Sequence, residues 1–195
     1  AERPFEGVVV GQLGLGAAGF GIASLMHAAG AERVIAADPD ESSHARAREK
    51  DIELVEYDEV MATADVVVAT TGKPGRIEPG DVRDGQIVLA MTNPDPEIRP
   101  QEARSAGAAF AADGSMVNNV LAYPGIFRGA LLAGASAIDD PMKLAAARAI
   151  ADLAEESELV PDVFDRGVHE RVAEAVKEAA EESGAANPER AATGL

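Results

Sequence analysis

The chain has 195 residues, enough for one sizeable domain or for one domain with a helical appendage. Acidic residues outnumber basic ones 34 to 17, a formal net charge of -17, which repels nucleic-acid phosphates and anionic lipid surfaces; no nucleic acid and no membrane is expected as a partner. Cysteine is absent, which excludes disulfides and thiolate metal sites, and with 4% aromatics and no Trp the core must be built from Ala, Val, Leu and Ile.

Val8 to Val10 is a short β-branched run leading into Gly11-Gln12-Leu13 and reads as a buried strand. A glycine-rich turn covers Gly14 to Gly19. Helical composition follows from Ala17 to Ala29, with Gly30 as the stop. Arg33 to Ala37 is a second strand, closed by Asp38-Pro39, because proline cannot continue a central ladder. Glu41 to Lys50 reads as a polar helix, Glu53 to Val55 as a short strand and Tyr57 to Ala62 as a short helix. Ala64 to Thr70 and Gln86 to Met91 are strong buried strands. Pro100 to Ala106 is helical, and Ala108 to Ala112 is a last short strand. Strand and helix alternate throughout, so the expected fold class is α/β: a doubly wound parallel sheet, Rossmann-like, with a C-terminal helical extension.

Beyond the last strand the character changes. Residues 118–134 mix turn residues with apolar ones. Asp140 to Glu156 forms an amphipathic helix on which Met142, Leu144, Ala145, Ala149 and Leu153 can share a face. Arg166 to Ser183 is a second, very acidic helix. The domain is expected to run over 1–183, with 184–195 as a flexible tail. No basic-then-apolar leader and no long apolar run is present, so a cytoplasmic location is expected. Ala rather than Met at position 1 is read as the mark of a fragment or a processed chain.

Four polar segments carry candidate chemistry. Gly14-Leu15-Gly16-Ala17-Ala18-Gly19 fits G-x-G-x-x-G between a strand and a helix. There the first glycine permits the turn, the second admits a pyrophosphate to the backbone, and the third lets helix and strand pack closely. The helix start offers free N–H groups and a partial positive charge to the phosphates. A glycine turn without a ligand is the competing reading. Asp38, 19 residues beyond Gly19, can accept hydrogen bonds from an adenosine ribose and repel a 2′-phosphate, which favours NAD and leaves NADP possible. It can equally be a turn-starting Asp before Pro39, and His44, Arg46 and Arg48 lie near enough in sequence to aid a 2′-phosphate.

Thr70-Thr71-Gly72-Lys73-Pro74-Gly75 follows the fourth strand, where small residues let a nicotinamide ribose approach the backbone; an ordinary strand-ending turn is the alternative. Asn93, in Asn93-Pro94-Asp95-Pro96-Glu97, can bond a nicotinamide carboxamide or an oxygen of a small acid. Asn118 and Asn119 stand before an apolar run, where one of them can also cap a helix. His27, His44 and His169 are scattered, no cluster has metal-ligand spacing, and no catalytic residue is assigned to this chain.

The glycine motif, Thr92-Asn93-Pro94-Asp95-Pro96-Glu97-Ile98 and the stretch from Asn118 to Leu131 together resemble the NAD(P)-binding domain of prokaryotic-type malic enzymes. The resemblance covers roughly residues 8 to 180, and the Asn-Asn segment is its most specific part. It implies oxidative decarboxylation of malate to pyruvate and CO2, with NAD or NADP and a divalent Mg or Mn ion. By motif, Asn93, Asn118 and Asn119 would contact the substrate. The family's tyrosine acid, lysine base and acidic metal ligands come from an N-terminal catalytic domain or just before the glycine motif, and they have no counterpart in these residues. That missing domain or subunit is an expected partner, as is a second copy of the chain in a homo-oligomer. The stretch from Asp113 to Val117 is also shortened, and Leu132 stands where an acid is common. The cofactor domain of another amino-acid or hydroxy-acid dehydrogenase, and a non-catalytic NAD(H) sensor, remain the alternatives.

Overall fold

The computed structural model describes residues 5, 7–117, 119–155, 159–162 and 165–192. They fall into two compact units, divided between Met116 and Val117, and each is described on its own.

The first unit alternates strand and helix: β1 (Val9–Leu13), α1 (Ala17–Ala28), β2 (Arg33–Ala37), α2 (Glu41–Arg48), β3 (Glu53–Leu54), α3 (Tyr57–Thr63), β4 (Val66–Ala69), β5 (Ile87–Ala90), α4 (Pro100–Ser105) and β6 (Phe110–Asp113). All six strands are parallel, in the order β3-β2-β1-β4-β5-β6. This is the doubly wound order, in which successive crossovers run outward in both directions from β1 and β4.

Period-two alternation along each strand feeds two apolar layers. Leu13, Ile35, Val67, Ala69, Val88 and Ala90 pack with Val60, Met61 and Ala64 around α3 and with Ala103 of α4. Val10, Val34 and Ala36 pack on the other face with Ala23 of α1, Ala47 of α2 and the loop residue Leu15. Around β1 and β2 both faces of the sheet are therefore covered, as central parallel strands require. α2 begins at Asp40, whose carboxylate accepts the Ser42 N–H at 2.9 Å. Hydrogen bonding by Ser42 holds the Asp40 carboxyl below its ordinary pKa.

The second unit is helical: α5 (Tyr123–Leu132), α6 (Asp140–Leu153), α7 (Arg166–Ser183) and α8 (Pro188–Ala192), with a short 3-10 turn at Asn119–Leu121. Met142, Ala146 and Ala149 of α6 and Val168, Val172, Val176 and Ala180 of α7 form its core with Leu121 and Ala130. α6 and α7 start where the sequence places them, at Asp139 and Asp165, each capping through its carboxylate.

α5 departs from the sequence reading, which saw only turn residues among apolar ones. Pro124 sits in its first turn, where the missing N–H costs nothing. Gly125 and Gly129 are packing residues: an added Cβ would lie 2.6 Å from Val172 or 2.5 Å from the Ala173 carbonyl oxygen. The segment beyond Ser183 also gains an element, α8, where Asn187 donates its N–H to the Ala133 carbonyl at 2.8 Å. Among the described residues no helix is long and apolar enough to cross a membrane.

Candidate functional site

The strand order reverses between β1 and β4, and in doubly wound sheets the ligand crevice lies outside the carboxyl ends of the strands at that point. The β1 loop is the glycine motif. Gly14 takes φ +88°, a conformation unfavourable for any side chain, and donates its N–H to the Ala37 carbonyl at 2.9 Å. Gly19 sits where α1 presses on the loop: a Cβ there would fall 1.9 Å from the Gly14 oxygen and 2.6 Å from the Thr70 hydroxyl. Gly16 is the opposite case, with nothing within 4 Å of its would-be Cβ. Gly16, Ala17 and Ala18 are exposed, no side chain caps α1, and its first turn carries no acid. The start of α1 therefore presents backbone N–H groups and the positive end of the helix dipole to open space. This cradle fits an anion such as a pyrophosphate.

Asp38, at the end of β2, is half-buried and faces this loop. Its carboxylate accepts the Leu15 N–H at 2.5 Å and the Asp40 N–H at 2.7 Å. A carboxylate offers about four acceptor positions, so capacity remains for a ribose hydroxyl. His44 Nε2 lies 2.8 Å from the Asp38 carbonyl oxygen. Arg46 donates to the Leu15 carbonyl at 3.3 Å and stacks 4.9 Å from the Phe20 ring centre. The neighbours expected from sequence are thus spatial ones for His44 and Arg46.

Across the crevice, Thr70 and Thr71 are half-buried and Gly72 is exposed. Their hydroxyls are bound within the protein. Thr70 Oγ1 accepts from Gln12 Nε2 at 2.9 Å and donates to the Gly14 oxygen at 3.3 Å. Thr71 Oγ1 donates to Glu97 at 2.9 Å. What this loop offers a ligand is backbone and small size. Asn93, after β5, is exposed, and its peptide bond to Pro94 is cis.

The first unit therefore gathers Gly14, Gly16, Ala17, Ala18, Gly19, Asp38, Thr70, Thr71, Gly72 and Asn93 on one set of strand ends. Asn119 belongs to the second unit, exposed at the start of the 3-10 turn, with its carbonyl accepting the Ala122 N–H at 3.2 Å. Asn118 lies outside the described residues.

Two buried residues of this site escaped the sequence reading. Gln12, fully buried, donates to the carbonyls of Leu13 and Gly14 as well as to Thr70, tying the β1 loop to the β4 loop. Glu97, also fully buried, accepts from Thr71 and Thr92 and so ties the β4 loop to the β5 loop. A Gln in a strand and a Glu in a Pro-rich loop were the available signals, but each polar residue has meaning only through its partners. Among the described residues no three His, Asp or Glu side chains gather as a metal-ligand set.

Strand order, glycine-rich first turn and uncapped helix start define a Rossmann-like domain of the dinucleotide-binding class. Residues 81–181, just over half of the chain, match the family "Malic enzyme, NAD binding domain", and residues 2–74 match "D-isomer specific 2-hydroxyacid dehydrogenase, NAD binding domain". The chain is 49% identical over 172 residues to NAD-dependent malic enzyme 1 of Bacillus subtilis, covering 88% of this chain and 39% of that protein. It is 39% identical over 157 residues to the NADP-dependent malic enzyme of Escherichia coli, covering 66% and 21%. The crystal structure of malic enzyme from Pyrococcus horikoshii superposes with a TM-score of 0.80 at 31% identity, over 93% of this chain and 49% of that one. The chain belongs to the malic enzyme family, through its NAD-binding domain. It spans less than half the length of these relatives.

Proposed function

We propose that the first unit binds NAD across the crevice and supplies the cofactor half of a malic enzyme, which converts malate to pyruvate and CO2. Gly14, Gly16, Ala17, Ala18 and Gly19 hold the pyrophosphate against the start of α1. Asp38 takes the adenosine ribose, and Thr70, Thr71, Gly72 and Asn93 receive the nicotinamide half through backbone and amide groups. These residues would hold a bound NAD, which would supply the hydride acceptor for the carbon that bears the malate hydroxyl. The observation that carries this reading is the contrast within one motif: space is closed at Gly19 and open at Gly16, beside free N–H groups. NAD is preferred to NADP because the Asp38 carboxylate would face a 2′-phosphate, although the family includes enzymes named for either cofactor.

By the family motif, Asn93 and the pair Asn118 and Asn119 are proposed contacts in the malate carboxylate and carboxamide region. The acid–base pair and the divalent Mg or Mn ion of the reaction are proposed to come from the catalytic domain outside these residues. They belong, with a homo-oligomeric state and a cytoplasmic location, to the proposal for the whole protein. Titration with NADH and separately with NADPH, followed by nicotinamide fluorescence, tests the cofactor half. Saturable NADH binding, at least about ten-fold tighter than NADPH, is expected from one lost charge-assisted contact and one repulsion. No saturable binding of either dinucleotide at millimolar concentration would overturn the reading.

A further inference from the structure

Glu97 is a fully buried carboxylate, and no Lys, Arg or His pairs with it among the described residues. A buried charge is costly unless hydrogen-bonded, and the structure supplies four donors. Thr71 N–H and Thr71 Oγ1 reach Glu97 Oε1 at 2.7 and 2.9 Å, Thr92 Oγ1 reaches Oε1 at 2.5 Å, and Thr92 N–H reaches Oε2 at 3.2 Å. The hydroxyl protons can be assigned from their other partners. Gly72 N–H donates to Thr92 Oγ1 at 3.0 Å, and Lys73 N–H donates to Thr71 Oγ1 at 3.1 Å. Each hydroxyl thus accepts from the loop backbone and turns its own proton to Glu97; for Thr71 the other acceptor in reach, the Lys73 carbonyl, is much farther at 3.5 Å against 2.9 Å. Four donors converging on one carboxyl describe an ionised group.

Neutral donors orient around a charge without cancelling it. A net negative charge therefore sits under the loops that leave β4 and β5. In a doubly wound domain the ligand crevice lies outside these strand ends. The ring of NAD+ is a cation and that of NADH is neutral, and charges separated by protein rather than water are poorly screened.

We propose that Glu97 is a positioning and charge-selecting residue of the cofactor site: its buried carboxylate fixes the β4 and β5 loops and favours the cationic, oxidised nicotinamide over the reduced one. This rests on the dinucleotide reading above and adds a preference between the two redox forms.

The test is calorimetric binding of NAD+, NADH and ADP-ribose, which lacks the nicotinamide, to the full chain and to Glu97→Gln. The variant should hold ADP-ribose within about two-fold of wild type, weaken NADH several-fold, and weaken NAD+ roughly five-fold more than NADH. Thr92→Val, which removes a donor and keeps the charge, should weaken NAD+ and NADH by one common factor. A purely structural role would do the same in Glu97→Gln; an unchanged NAD+ to NADH ratio there overturns the proposal. Should Glu97→Gln fail to fold, Glu97→Asp carries the test, because it moves the charge by one methylene. It should shift the ratio at least about two-fold toward NADH, and a wild-type ratio contradicts the proposal. If wild type binds none of the three ligands, the dinucleotide reading itself fails, and this inference with it.

Discussion

The two sides of the crevice are built by opposite means. On the β1 side the loop's shape depends on side chains that are absent, with neutral Gln12 beneath it: Gly14 turns, Gly19 lets α1 touch the loop, and Gly16 leaves room. On the β4–β5 side it depends on one side chain that is present, Glu97, around which Thr71, Gly72 and Thr92 are arranged. The first side is set by sterics and tolerates no added atoms at Gly19. The second is set by hydrogen bonding and tolerates atoms but not a lost acceptor. Similar anchoring of two loops is thus reached through packing on one side and through a buried charge on the other.

Substitutions can break this contrast, and their expected effects fall in order. Gly19→Ala should be the most damaging, because its Cβ overlaps the Gly14 carbonyl; we expect a loss of about 3 kcal/mol or more of stability, from overpacking against backbone. Thermal melting reads it directly. Gly16→Val, three residues away, should melt like wild type and lose NADH affinity by roughly 30-fold, about 2 kcal/mol, since its side chain meets only the ligand's space. Equal melting losses in the two variants would erase the distinction between packing glycine and binding glycine.

Asp38→Ala should weaken NADH about ten-fold and leave NADPH unchanged or tighter, because it removes an acceptor for one and a repulsion for the other. Parallel titrations with both dinucleotides measure this.

The smallest effect lies away from the site. Tyr57 donates to Asp81 at 2.7 Å with Arg76 over its ring, and burial, followed by the Asp81 contact, pushes its pKa up from the usual value. Because the folded pKa is the higher one, this stabilisation is complete below the unfolded pKa of about 10 and declines as pH rises above it. Tyr57→Phe should cost about 1 kcal/mol at neutral pH, flatten that alkaline decline in a denaturant series, and leave NADH binding unaltered.

The same contrast explains what was legible in the sequence. β-branched runs and glycine stops placed the sheet unit's elements within about two residues, because periodicity reports directly on burial. The sequence offers Asp38 as a candidate by its distance from the glycine motif, and the structure sets its carboxylate against that loop. Gln12 and Glu97 were not, since a buried polar residue is defined by partners distant in the chain, up to 58 residues away for Gln12 and Thr70. α5 was missed for a related reason. Gly125 and Gly129 signal a turn when read locally, yet they serve the close approach of α7, which only the tertiary structure supplies.

The strand ends of the first unit are the proposed dinucleotide site. Amide NMR spectra of the chain titrated with NAD+ test it most directly, residue by residue. Shifts should concentrate on Leu15 to Gly19, Asp38, Thr70 to Gly72 and Thr92–Asn93. A response centred instead on the open groove of about 740 Å³ lined by Arg128, Leu132, Arg171 and Lys177 on α5 and α7, or no saturable response at all, would contradict it.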